Sequence, residues 1–271
     1  MSQADLQSKG ELFEELFDIT TDSILVVNPT SHQLESVITA AVEYEDDFPE
    51  LRILAREKLV KDLADDFIIT SMAVDLINQN KISIRIINNI NRGSIIVLED
   101  SVISLLQLND HIDGLRTEDE DLVETAHETM MPVWENSEKF SFRTPALSEI
   151  EESLDDEIGL ETKDDFMKVI ESRDEIRGSG NLDEVSICLL IAAKNRVLLY
   201  DISRWGEDVG VASKATFSRA KTQLQDLGVI DTEKVPIDVG RPRLRLKLAD
   251  ESQDDMDADE MVEEIEHNIS A

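Results

Sequence analysis

The stretch Val209-Gly-Val-Ala-Ser-Lys-Ala-Thr-Phe-Ser-Arg-Ala-Lys-Thr-Gln-Leu-Gln-Asp-Leu-Gly228 decides the fold of the C-terminal part of this chain. Ser213 is a good helix N-cap and Gly228 a good C′ residue. Between them Phe217, Ala220, Leu224 and Leu227 recur at helical spacing, which predicts one amphipathic helix with an apolar face. The residues before it, Val209-Gly-Val-Ala212, make the short Gly-containing connection that a helix-turn-helix requires.

Two helices are predicted upstream. The first runs from Asp183, its N-cap, to about Asn195 with Val185, Ile187, Leu189, Leu190 and Ala193 apolar; the second runs from about Val197 to Glu207 with Leu198, Ile202 and Trp205 inward. Downstream, Glu233–Asp238 and Leu244–Leu248 read as strands around Val239-Gly-Arg-Pro-Arg243, the pattern of a β-wing. Leu244, Leu246 and Leu248 alternate with Arg243, Arg245 and Lys247, so the pleat sends leucines to the core and cations to solvent. Residues 183–248 are therefore predicted as a winged helix-turn-helix.

The outward face of the third helix carries Ser213, Lys214, Thr216, Ser218, Arg219, Thr222 and Gln223, whose hydroxyl, amide and cationic groups suit base edges and phosphates. An extended Gly-Arg-Pro-Arg lays Arg241 and Arg243 against a phosphate backbone or into a narrow minor groove, with Arg245 following. The expected partner is double-stranded promoter DNA.

Net charge argues the other way until it is divided along the chain. The total is −34, from 60 acids against 26 bases. Residues 1–182 carry 41 acids and 15 bases, residues 249–271 carry 10 and none, but residues 183–248 carry 9 acids against 11 bases. The one non-acidic block is the predicted DNA-binding domain, and Gly240–Leu248 alone is +4.

The N-terminal part alternates strand and helix. Ser23–Asn28, Leu51–Ala55 and Ile82–Ile87 are apolar strand candidates, separated by a helical pattern from Leu34 to Val42 and a long helical stretch from Glu57 to about Asn78. Gly93–Leu98 and Val102–Leu108 flank Glu99-Asp100-Ser101 as a hairpin, and a helix from Glu118 to about Asn136 closes the domain. This predicts an α/β domain over 1–147 with a mostly parallel sheet and a hairpin. Residues 148–182 read as an acidic linker containing a helix, and 249–271 as an acidic tail, disordered or weakly helical near Met261 to Ile265.

In open α/β sheets ligands sit beyond the C-terminal strand ends. Here those ends supply Asn28, Thr30, Ser31, Arg56 and Arg92, an expected effector site for a sugar or sugar phosphate; an N-cap at Thr30 or Ser31 and surface ion pairs explain the same residues. Cys188, the single cysteine, lies in an apolar run and reads as a buried structural thiol. The histidines His32, His111 and His127 show neither metal-ligand spacing nor a nearby nucleophile, so no catalytic residue, metal or cofactor is expected. No apolar run reaches membrane-spanning length and the acidic start is unlike a signal peptide, so a cytoplasmic protein is expected.

The block from Trp205 to Leu248, together with the acidity spread along the chain, resembles the haloarchaeal TrmB-suppressor (TbsP) family of transcriptional regulators. The N-terminal layout, including the hairpin from Ser94 to Leu108, is similar to the phospholipase-D-like effector domains of TrmB-type sugar regulators, without their catalytic relatives' His-x-Lys motif. The resemblance implies a repressor-type regulator of central sugar metabolism, and operator symmetry suggests a homodimer. Two other readings stay open: a protein-docking adaptor and a degenerate phosphodiesterase-like enzyme.

Overall fold

Helix α1 (Glu11–Ile19) precedes strand β1 (Ser23–Val27), whose residues from Ile24 onward are buried on both faces. A strand covered on both sides gains nothing from alternation, which is why it reads as an unbroken apolar run. Helix α2 (Ser31–Glu43) leads to β2 (Glu50–Ala55), and helices α3 (Glu57–Leu63) and α4 (Phe67–Asn78) lead to β3 (Ile82–Ile86). β1, β2 and β3 pair in parallel, with Val26 opposite Ile53 and Ile53 opposite Ile84. The structure, a computed structural model, describes residues 11–20, 22–44, 46–64, 66–88, 93–109, 111–176, 182–236 and 242–270.

Four antiparallel strands complete the sheet: β4 (Ile95–Val97), β5 (Val102–Leu108) and β6 (His111–Thr117), then β7 (Glu138–Lys139) after helix α5 (Glu120–Asn136). The order among the described residues is β6-β5-β4-β1-β2-β3-β7. The α/β class, the parallel core and the β4–β5 hairpin are as expected. Ile24 and Val26 face a core shared with α1, α2 and residues of α3 and α4, while Leu25 and Val27 face Met130 and Trp134 of α5. The sheet is thus sandwiched between helical layers.

The single helix expected from Glu57 to Asn78 is two. Asp66 caps α4 by accepting from the Ile69 amide, and Thr70 Oγ1 donates to the Leu63 carbonyl at 2.8 Å, so side chains satisfy backbone groups that a continuous helix would have paired. β6 and β7 were not expected. β6 (sequence His-Ile-Asp-Gly-Leu-Arg-Thr) is polar and contains Gly114, so it lacks an apolar strand signal, and two-residue β7 is defined only by its pairing to β3.

Residues 147–271 form the second of two compact units, the first being 1–146. The acidic linker expected to contain one helix holds two that pack into the unit: helices α6 (Leu147–Glu157) and α7 (Leu160–Ile176) bury Ile150, Leu154, Phe166, Val169 and Ile170. The tail, expected to be disordered or weakly helical near Met261 to Ile265, contains helix α11 (Ala258–Ser270), with Ala258, Met261, Val262 and Ile265 buried. In both, apolar residues at helical spacing meet a core while the dense carboxylates occupy the wet face. Between them lie helices α8 (Glu184–Lys194), α9 (Leu199–Val209) and α10 (Lys214–Asp226), then strands β8 (Ile230–Val235) and β9 (Arg243–Leu248). β8 starts three residues before the expected Glu233; Asp238 lies outside the described residues.

Candidate nucleic-acid interface and effector cavity

Helix α10 is set by the two helices before it. α8 is buried from Ile187 to Ala193 and forms the floor of the unit. Within it Cys188 is buried, which pushes its thiol pKa upward and leaves it a structural, protonated group. α9 ends at Gly210, whose φ of 96° lies in the left-handed region that turns the chain into α10. Gly206 is needed for space, because a Cβ there would meet the Phe217 ring. Trp205 is fully buried and its indole N–H donates to Ser153 Oγ on α6 at 2.9 Å, tying the expected linker segment into the helix-turn-helix.

Ser213 caps α10, accepting from the Thr216 amide, and Phe217, Ala220 and Leu224 are buried as expected. Leu227, expected on the same inner face, is 57% exposed, because the helix ends at Asp226 and Leu227 is only its cap. The exposed residues Ala215, Ser218, Arg219, Thr222, Gln223 and Asp226 recur at intervals of three and four and form one continuous outer stripe. Ser213 is exposed at its N-terminal end. Two expected contacts are engaged elsewhere. Lys214 Nζ lies 2.6 Å from Glu207 Oε2, a hydrogen bond that holds the Glu207 carboxyl below its usual range and the Lys214 ammonium above its own. Thr216 Oγ1 bonds Ser213 Oγ at 2.9 Å and lies 3.4 Å from an Arg219 guanidinium nitrogen.

β8 and β9 pair antiparallel, and Leu198 bridges Arg245 on the other side of β9. Leu246 and Leu248 are buried and Leu244 partly so. The wing cations are less free than their sequence suggests. Arg243 Nη1 lies 3.5 Å from Asp201, Arg245 Nη1 3.4 Å from Glu233 and Lys247 Nζ 3.5 Å from Asp231. These long, half-exposed pairs are individually weak and leave the cations available to a competing phosphate. Tyr200, 46% exposed, stacks under Arg243 at 4.5 Å, a partner that only tertiary structure reveals. Arg241 lies outside the described residues.

In the first unit β1 lies between parallel β2 and antiparallel β4, and a cavity of about 430 Å³ opens beyond the C-terminal ends of β1 and β2. Asn28, Thr30, Ser31 and Arg56 all line it; Arg92 lies outside the described residues. Lys58 and Asp62, ion-paired with each other, and Gly93 and Ser94 also line it and were not expected; only the β1–β4 pairing brings Ser94 to this end of the sheet. Asn28 is buried with φ 55°, and its Oδ1 accepts from Arg56 Nε at 2.8 Å. Thr30 caps α2 in a reciprocal box with Gln33, so it serves as the N-cap that the sequence also allowed.

His127 Nε2 lies 2.8 Å from the Leu98 carbonyl, a packing role. Among the described residues no cluster of His, Cys, Asp or Glu is placed to hold a metal, and no helix is long and apolar enough to cross a membrane.

Two family descriptions match the chain end to end. "Transcriptional regulator TbsP-like, N-terminal" matches residues 2–145, and "Transcriptional regulator TbsP-like, C-terminal HTH domain" matches residues 146–266. The second begins at α6, in agreement with the packing of α6 and α7 into the helix-turn-helix unit. No curated protein matches the sequence.

Proposed function

This chain belongs to the TbsP-like family of transcriptional regulators, and from that premise we propose that it binds double-stranded promoter DNA as a homodimer and represses genes of central sugar metabolism in response to a small effector. The observation that carries the DNA reading is the stripe Ser218, Arg219, Thr222 and Gln223: exposed, free of acids until Asp226, and on the helix that follows a tight turn. In this reading α10 enters the major groove. Ser213, Lys214 and Thr216 lie at its N-terminal end, where the helix dipole favours phosphate, and Arg241, Arg243 and Arg245 lie along the backbone. The sugar-metabolism assignment and the sign of regulation rest on the family resemblance, and the homodimer on the two-fold symmetry usual in operators.

Chromatin immunoprecipitation of the tagged protein, with and without sugar in the medium, tests binding and sensing together. Promoter enrichment that changes with sugar supports both. In vitro, Arg219→Ala or Gln223→Ala is expected to change preference between duplexes, by about 1–3 kcal/mol at the base pair read. Arg241→Ala with Arg243→Ala is expected to weaken all duplexes alike. No promoter enrichment under either condition removes the DNA reading and leaves a protein-docking module.

A further inference from the structure

We infer that the cavity at the end of β1 accepts a small molecule bearing both an anionic group, held by Arg56, and hydroxyl groups that donate to Ser31 and Ser94. The inference rests on the reading that the N-terminal unit senses an effector, and it specifies the chemistry of that effector.

The donor and acceptor inventory of the cavity selects this class. Ser31 Oγ lies 3.1 Å from Glu35 Oε1, and Ser94 Oγ lies 2.8 Å from the Asn28 carbonyl oxygen. A carboxylate and a carbonyl only accept, so both serine protons are already directed into the protein. Toward the cavity these hydroxyls offer lone pairs, and a ligand satisfies them by donating. These two uncharged hydroxyls, beside a Lys58–Asp62 pair that already neutralises itself, suit a ligand with O–H groups of its own.

The anion follows from Arg56. Arg52, Lys58, Lys61, Lys81 and Arg116 are each ion-paired with a carboxylate. Arg56 is oriented differently, through Nε by the neutral amide oxygen of buried Asn28, and no carboxylate lies within 4.0 Å of it among the described residues. A guanidinium fixed by a neutral group keeps its full charge, and its terminal nitrogens form the fork that matches phosphate or carboxylate oxygens. This happens within a unit holding 29 acids against 11 bases over residues 1–146, where an un-neutralised cation in a concave wall is a local reversal of the field. Asn28 is thus a positioning residue: its left-handed backbone sends its side chain to Arg56 while its carbonyl receives Ser94.

Calorimetry on the full chain with glucose, glucose 6-phosphate and inorganic phosphate, each at constant ionic strength, separates the parts of this inference. The wild type is expected to bind glucose 6-phosphate at least about tenfold more tightly than glucose, as one charge-assisted hydrogen-bonded group provides, and Arg56→Ala to lose that margin. Arg56→Lys, which keeps the charge but loses the fork and the Asn28 bond, is expected to recover only part of it. Arg56 is exposed, so unchanged thermal unfolding of both variants confirms an intact fold. Equal affinity for glucose and glucose 6-phosphate in wild type and Arg56→Ala overturns the anion assignment while leaving sensing intact. Phosphate binding that Arg56→Ala does not alter marks an adventitious ion and also overturns it. No binding of any probe overturns the site itself. Arg56-dependent binding that leaves promoter affinity unchanged supports the site and removes the sensing reading.

Discussion

The guanidinium carbon of Arg243 sits 4.5 Å from the centroid of the Tyr200 ring, with Nη1 3.5 Å from Asp201 on the same turn of α9. The base of the wing is therefore fastened to the start of the second helix. One face of the guanidinium is covered by an aromatic ring, and the cation is pre-set rather than sampling rotamers in solvent.

Removing that ring should release the cation without removing its charge. Tyr200→Ala is expected to weaken DNA binding by about 0.5–1 kcal/mol, roughly two- to fivefold, across unrelated duplexes. Fluorescence anisotropy on a promoter and a scrambled duplex measures this. A loss confined to the promoter would mean that Tyr200 reads bases instead.

Salt dependence should expose the carboxylates of the wing. Asp231 and Glu233 on β8 lie beside Lys247 and Arg245, so a phosphate must displace them to gain those cations. Asp231→Asn with Glu233→Gln is expected to tighten binding. It should also steepen the slope of log K against log salt by about one to two, close to 0.9 for each phosphate neutralised. An unchanged slope would place the wing away from the DNA backbone.

Packing beneath α10 offers a test of stability. Gly206→Ala forces a methyl group into the Phe217 ring and is expected to destabilise the chain by about 1–3 kcal/mol, as overpacking does. A lowered Tm with weakened DNA binding is the expected pair of results; a normal Tm would show that the two helices have room to separate.

The contact between α6 and the helix-turn-helix can be measured through a single hydrogen bond. Trp205→Phe leaves Ser153 Oγ without its 2.9 Å donor, and Ser153→Ala leaves a buried indole N–H unsatisfied. Each is expected to cost about 1–3 kcal/mol, and the double variant less than their sum. Strict additivity in denaturant unfolding would show the bond to be absent in solution.

Acid should loosen the α7–α11 contact. The hydrogen bond from Lys168 holds the Asp257 carboxyl below its usual range. A carboxyl whose pKa is depressed on folding stabilises the folded state above its unfolded pKa, near 3.9, and that contribution disappears as pH falls through the folded value. Asp257→Asn is expected to flatten acid unfolding below about pH 4. The same acid midpoint in variant and wild type would remove Asp257 from the account.

Sequence by itself determined the elements whose signals are local. Ser213 and Asp183 are caps because their side chains reach amides three residues on, and Gly210 turns because it alone lacks a Cβ to clash. The apolar run of β1 is a strand buried on both faces, β3 alternates buried Ile82 and Ile84 with partly exposed Ser83 and Arg85, and the swing of charge across residues 183–248 marks the non-acidic block. The same local signals placed Asn28, Thr30, Ser31 and Arg56 at strand ends.

Tertiary structure alone decided the rest, because the deciding partners are distant in sequence. Dense carboxylates hid helix α6 and the packing of α7 and α11, whose burial becomes meaningful only once α8 and α9 supply a core to meet. Asp201, Glu233 and Asp231 take up wing cations that composition counts as free, and Tyr200 meets Arg243 across 43 residues. Ser94 reaches the cavity because β4 returns antiparallel to β1, which brings the start of one strand to the end of another. Local chemistry chose the helices and strands; which charges remain available to a ligand was settled by neighbours that only folding provides.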